Sequence, residues 1–154
     1  MSLRRLFGRG RRLKRAQRER ALEHLFGPVA RRVDDVLIFK EHIVGAALYV
    51  TSTTRPFELA ICQRTDDDWP IGVLRELGQR CRWKTIQSGQ VLDCFLFEHY
   101  GTFHEGEVLL AVGLTADERT MCVESGSSVV LERLRGAGIF PFTEERETFS
   151  GDSA

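Results

Sequence analysis

The chain has 154 residues, 42% of them hydrophobic and 29% charged, a length that supports one domain with a buried core and a composition that excludes disorder for the chain as a whole. The net charge of zero hides a split, because residues 1–26 carry nine Arg and Lys against two Glu while the remainder holds 13 basic and 20 acidic residues. No apolar run approaches the ~20 residues of a membrane-spanning helix, and the acidic body argues against a nucleic-acid-binding domain.

Residues 1–15 combine arginines with Leu3, Leu6, Phe7 and Leu13 and lack the apolar run of a secretory signal. An Arg-rich, acid-poor start also suits an organelle transit peptide, but Gly8 and Gly10 weaken a helix there, and Glu19 and Glu23 follow soon after. Arg4, Arg5, Arg9, Arg11, Arg12, Lys14 and Arg15 are candidate contacts for an anionic partner: nucleic acid such as RNA, an anionic membrane surface or an acidic protein. The plainer alternative is a solvated arm. From about residue 11 to residue 26, Leu13, Ala16, Ala21, Leu22, Leu25 and Phe26 fit a helix with one apolar edge, ended by Gly27 and Pro28 and docked by its second half.

Residues 33–44 read as a first strand interrupted by Lys40 and Glu41, and Gly45 then allows a tight reversal. Residues 46–51 are small and apolar enough to be buried on both faces, while Phe57, Leu59 and Ile61 alternate along a second strand of the pair. Asp66, Asp67 and Asp68 place negative charge beside the exposed amides of a helix start, where Pro70 has the φ that a first turn accepts. Trp69, Val73, Leu74, Leu77 and Cys81 are the expected buried stripe, with Arg75, Glu76, Gln79 and Arg80 in water. Gly89 opens the next strand region, residues 99–107 read as a loop, and residues 108–114 form a strand apolar on both faces. Thr115 and Glu118 make a capping box at a helix start. Met121, Cys122 and Val123 are expected to turn inward, Gly126 to stop that helix, and Ser127 or Ser128 to cap a second with Val130, Leu131 and Leu134 inside. An extended, partly packed tail follows.

The order of Thr51-Ser52 after a strand, Arg55-Pro56, the strand FELAIC, an acidic turn, Trp69-Pro70-Ile71 at a helix start and LREL resembles the Suppressor of fused domain family. The likeness continues through Leu114-Thr115 to Glu118, SGSSVVLERLRGAGI and Arg146 in a closing segment, and covers roughly residues 45–150. Thr53 and Thr54 stand where the family usually has Gly-Met, and the loop that follows is shorter, so the resemblance does not carry over a surface built by that loop. It implies a non-enzymatic α+β domain that binds other proteins and, in bacteria, a place among the immunity proteins of toxin systems. The residues it puts forward for a protein contact are Thr51, Ser52 and Arg55. Trp69 and Trp83 are candidate interface anchors, since Trp is over-represented at binding hot spots, or else pillars of the core.

Other chemistry is thinly represented. His99, His104 and Glu105 share a loop that could approach a metal set, though exposed loop residues read the same way. The aspartates at 66–68 lack the spacing of a calcium loop, and no phosphate-binding or nucleophile-elbow motif occurs. Cys62, Cys81, Cys94 and Cys122 are far apart and form no ligand pair, which suits reduced thiols in a cytoplasm.

The expected architecture is α+β: a mostly antiparallel sheet of about five strands covered by helices, with an N-terminal basic helical arm. Residues 1–28 are the arm and its helix, 29–150 the Suppressor-of-fused-like domain and 151–154 a tail. The expected function is that of a cytoplasmic bacterial protein, with no catalytic activity and no cofactor, that binds another protein; an immunity protein whose acidic body masks a basic toxin is its sharpest form. The alternative is a binder of RNA or anionic membrane acting through the arm, and an enzyme of unfamiliar design is a third class.

Overall fold

The computed structural model describes residues 3–53, 55–65, 67–81, 85–103 and 106–143, with the side chains of residues 3–13 outside the described set. The elements run α1 (Leu3–Phe26), β1 (Val29–Val33), β2 (Val36–Phe39), β3 (Ala47–Thr51), β4 (Phe57–Gln63), α2 (Trp69–Arg80), β5 (Val91–Leu92), β6 (Phe95–Phe103), β7 (Gly106–Gly113), α3 (Ala116–Ser125) and α4 (Ser127–Gly136). The strands form one seven-stranded sheet in the order β1-β2-β3-β4-β7-β6-β5. Every neighbouring pair is antiparallel except β4 and β7, which run parallel.

The sheet is buried on both sides, and the alternation of its central strands says why. Leu48 and Val50 of β3, Ala60 and Cys62 of β4 and Leu110 and Val112 of β7 face one apolar layer, closed by Leu22 and Phe26 of α1 and by Val130, Leu131 and Leu134 of α4. Tyr49, Leu59, Ile61 and Leu109 face the opposite layer, closed by Ile71, Leu74 and Leu77 of α2. The result is three layers, helix, sheet, helix, with each fully buried large apolar side chain worth about 1.5–3 kcal/mol over its exposed state.

The expected sheet of about five antiparallel strands is thus too small and too uniform. Val29–Val33 already pairs with β2, around a turn at Asp34 and Asp35, but its side chains are mostly exposed and give no apolar periodicity. The stretch read as a loop from 99 to 107 instead continues β6 to Phe103, with a register shift between His99 and Gly101, and begins β7 at Gly106. Its exposed polar residues lie at an outer pairing, where one face of the ladder meets water. The parallel β4 and β7 pairing is a long-range choice that no local signal encodes.

Helix α2 turns inward largely as expected, with Leu74, Leu77 and Cys81 buried, Val73 packed against the same layer and Arg75, Glu76, Gln79 and Arg80 exposed, but Trp69 does not belong to the stripe. Pro70, Ile71, Leu74, Leu77 and Gly78 are buried, a set at three- and four-residue spacing that excludes Trp69. Trp69 falls on the opposite side with Gly72, Glu76 and Gln79, and 37% of it is exposed. Of the aspartates expected beside the helix start, Asp68 stands next to the first turn. Asp68 is the N-cap residue but its side chain makes no capping bond, pairing instead with Arg31, while Asp66 lies outside the described residues.

The capping box of α3 is formed, with Glu118 N donating to Thr115 Oγ1 at 3.1 Å and Thr115 N donating to Glu118 Oε1 at 2.9 Å. Met121 and Cys122 are half-buried, but Val123 is 87% exposed, against expectation, because a short helix with a narrow inner edge turns its next position to solvent. Gly126, at φ 98°, joins α3 to α4, and Ser127 donates its hydroxyl to Gly89 O at 2.7 Å rather than capping. Beyond α4 the chain wedges between the ends of β4 and β7. There Thr143 donates its amide to Cys62 O at 2.8 Å and its hydroxyl to Ala111 O at 3.0 Å. Arg146 and the rest of the tail lie outside the described residues.

Candidate protein-binding surface

The connection between β3 and β4 is tied to the N-terminal helix by a buried charge. Glu58 sits between Phe57 and Leu59 in β4, a polar position that would face water in a sheet covered on one side, and here it is fully buried. Thr51 and Thr53 both donate hydroxyl protons to Glu58 Oε1, at 2.9 and 2.8 Å, and Thr53 N donates to Oε2 at 2.8 Å. Arg18 of α1, 8% exposed, completes the set by an ion pair with Glu58. Its guanidinium also lies 4.3 Å from the centroid of the Phe103 ring and donates to Arg55 O at 2.8 Å. Burial pushes the Glu58 carboxyl above the usual carboxylate range, against the opposing pull of Thr53, Arg18 and Thr51.

This network fixes the next two residues of interest. Thr51 Oγ1 also accepts from Leu59 N at 2.9 Å, so its hydroxyl is spent inside the protein. Ser52 is half-buried and donates its amide to Asp35 O at 2.6 Å. Arg55 is half-buried, with its amide donating to Thr53 Oγ1 at 3.3 Å and its guanidinium Nη1 donating to Gly78 O, near the end of α2, at 2.8 Å. Pro56 is pinned from the other side, since Glu107 N donates to Pro56 O at 3.2 Å and a Cβ on Gly106 would stand 1.8 Å from that same oxygen. Only glycine lets β7 pass there. Thr51, Thr53, Arg55, Leu74, Arg75 and Gln79 are among the residues lining a cleft of about 240 Å³ between this connection and α2.

Trp69 stands at the opposite end of α2, roughly 13 Å along the helix axis from Gly78 at ~1.5 Å per residue. The turn that carries it is held from beneath. Tyr49 donates its hydroxyl to Asp67 O at 3.1 Å, and Gln63, fully buried, donates from Nε2 to Tyr49 Oη at 3.1 Å and to the same Asp67 carbonyl. Charged pairs join the N-cap and the middle of α2 to the β1–β2 hairpin: Asp68 with Arg31 and Arg75 with Asp34. The candidate residues therefore divide. Arg55 lies against the C-terminal end of α2 and Trp69 stands at its N-terminal end, Thr51 belongs to the buried support, and Ser52 contributes its backbone. Trp83, and the side chains of Arg4, Arg5, Arg9, Arg11 and Arg12, lie outside the described set, whereas Lys14 and Arg15 are exposed, with Arg15 3.9 Å from Asp35.

Glu58 and Arg18 were not among the residues that the sequence put forward. Nothing local marks them, since a Glu between apolar strand positions reads as solvent-facing and an Arg in a basic arm reads as one of many. Two further clusters complete the inventory. His99 Nδ1 lies 2.7 Å from Glu107 Oε2 and its Nε2 3.2 Å from Thr102 Oγ1 on the outer face of the β6–β7 pair. His104 and Glu105 are outside the described residues, among which no group of three or more His, Cys, Asp or Glu residues is arranged to hold a metal. His42 packs against Phe26 with ring centroids 5.0 Å apart and shares a 2.9 Å hydrogen bond with Tyr100 Oη. Burial holds His42 below the usual histidine range and pushes Tyr100 up to about 12. None of the four cysteines is in a disulfide; Cys62 and Cys81 are buried, Cys94 and Cys122 half-buried. No described helix is long and apolar enough to cross a membrane.

No family model matches the sequence, and no curated protein matches it. Among solved structures, the chain is similar to a crystal structure described as a SUFU (suppressor of fused protein) homolog from Neisseria gonorrhoeae FA 1090, with a TM-score of 0.65 over 87% of this chain and 97% of that one, at 15% identity. At that identity the likeness is one of fold, and the fold of this chain is SUFU-like.

Proposed function

We propose that this chain is a non-enzymatic protein-binding module, cytoplasmic and bacterial, whose contact surface is the strip along α2 that begins at Trp69. The observation that carries the reading is Trp69 itself: a large aromatic side chain, 37% exposed, on a helix whose other face is locked into the core. Its turn is fixed by Tyr49 and Gln63 and its flank carries Arg31 and Arg75. Tryptophan and arginine dominate binding hot spots, and a preorganised turn lowers the ordering cost of association. The SUFU-like fold supports the reading without carrying it, because one fold serves many functions. In its sharpest form the module is an immunity protein. The 20 acidic residues after residue 26, against 13 basic ones, suit a basic toxin as its partner.

A second reading is favoured by α1, where Lys14 and Arg15 are exposed on a continuous helix whose N-terminal part also carries Arg4, Arg5, Arg9, Arg11 and Arg12. In that reading the arm binds RNA or an anionic membrane surface. Deleting residues 2–12 from the full chain separates the two. A module binding through α2 keeps its protein partner after the deletion. An arm-driven binder loses RNA or anionic vesicles, and in the intact chain its affinity falls by roughly 10³-fold or more between about 50 and 200 mM salt if six or more phosphates are neutralised. Loss of every specific protein contact on deletion overturns the module.

A further inference from the structure

Several of the described arginines are matched within the fold. Arg18 pairs with Glu58, Arg31 with Asp68, Arg32 with Glu19, Arg75 with Asp34 and Arg80 with Asp93. Arg64 and Arg135 stack over Phe142 and Phe140. Arg55 differs from these: its half-buried guanidinium gives one hydrogen bond to the neutral carbonyl of Gly78 and has no carboxylate partner among the described residues. A guanidinium presents a rigid fork of donors that fits a carboxylate two bonds at a time, and a single bond from Nη1 leaves most of that fork unused.

We propose that Arg55 and the cleft it lines form a slot for one carboxylate of the bound partner protein, the side chain of an Asp or Glu; this rests on the protein-binding reading above. The volume, about 240 Å³, lies below the ~300–1,000 Å³ of small-molecule and cofactor sites, so the slot takes a side-chain-sized group. Its chemistry is simple. The hydroxyls of Thr51 and Thr53 both donate inward to Glu58, and Arg75 in the same lining is paired with Asp34, which leaves Arg55 as the charged donor without a carboxylate partner, with Gln79 also in the lining. Asp35 lines the same cleft, so repulsion there grows with the charge of an anion and is smaller for a single carboxylate than for a multiply charged group such as phosphate. Arg55 is also preorganised: its carbonyl accepts from Arg18, its amide donates to Thr53 and its side chain is held by Gly78. The buried Glu58 network thereby serves as the mount for a surface cation, and little ordering remains to oppose binding.

The test uses the full chain labelled for NMR at the backbone amides and the arginine Nε–H groups, titrated with sodium acetate and, separately, with sodium phosphate at constant ionic strength. The expected result is a saturable acetate shift at Arg55 Nε–H that exceeds those at Arg31 and Arg75, with a saturable backbone-amide shift at Gln79, in the same lining, that is lost in Arg55→Gln, and with phosphate weaker. Non-saturating shifts, a Gln79 shift of equal size in Arg55→Gln, or saturation by phosphate alone overturn the slot. A protein partner captured by the wild-type chain should bind Arg55→Gln roughly tenfold or more weakly, with Arg55→Lys between, once unfolding midpoints confirm that both variants are folded. A partner that binds all three equally overturns the slot and leaves the module standing. Acetate binding by a chain that captures no protein upholds the anion slot and overturns the module.

Discussion

Arg18, from the N-terminal helix, and Glu58, from the middle of the sheet, form an ion pair in which neither side chain is more than 8% exposed. It couples the basic segment of the sequence to the acidic body at one buried point, so α1 is a structural part of the domain at least from Arg18 to Phe26. Breaking such a pair from one side leaves an uncompensated buried charge. Glu58→Ala or Arg18→Ala should each cost about 3–5 kcal/mol, whereas replacing both with methionine should be far less damaging than the two losses combined. Urea midpoints of the two single variants and the double variant decide this; additive losses would mean the pair is not coupled.

Helix α2 offers a test of facing with neighbouring residues. Leu74 is fully buried, and Leu74→Ala should cost ~2–5 kcal/mol through lost burial and a residual cavity. Arg75→Ala removes one exposed pair with Asp34 and should cost no more than about 1 kcal/mol. Chemical denaturation of the two variants should separate their midpoints widely.

Acidification should act through His42. Burial holds its folded-state value below the ordinary 6.5, so the unfolded chain takes up a proton first as the pH falls. The contribution to stability is full above about pH 6.5, is lost as the pH drops towards the folded-state value, and is flat below it. His42→Gln keeps a polar group facing Tyr100 and removes the titration. Unfolding midpoints measured from pH 7.5 downward, in steps of about half a unit, should slope less in the variant over that window; equal slopes would assign the effect elsewhere.

The legible parts of the fold were those written in local chemistry. Thr115 and Glu118 announce a helix start because both halves of the capping box lie within one turn, and Phe57, Leu59 and Ile61 announce a face because strand periodicity needs no partner. The misread parts depend on what lies across the sheet. Val29–Val33 has mostly exposed side chains and is a strand through its pairing with β2. Trp69 reads as part of the stripe from its spacing to Val73, Leu77 and Cys81, yet Ile71 with Leu74 and Gly78 defines the inner arc and displaces the tryptophan to the outside. Glu58 is buried because α1 covers a face that the strand alone would leave wet, and its partner lies 40 residues away in sequence. Arg55 was named from a resemblance to a family; its setting beside a cleft rests on Gly78, Thr53 and Arg18, none of which its own neighbourhood in sequence ties together.

The central claim is that the strip along α2 meets a protein, and site-directed photocrosslinking in the cells that make this chain tests it most directly. A photoreactive phenylalanine analogue at position 69 of the full-length chain should yield a discrete protein adduct on irradiation, and the same analogue at Val123, 87% exposed on α3, should not. An adduct that also survives deletion of residues 2–12 places the contact on the folded body. No adduct at 69, or equal labelling from 69 and 123, would contradict the account.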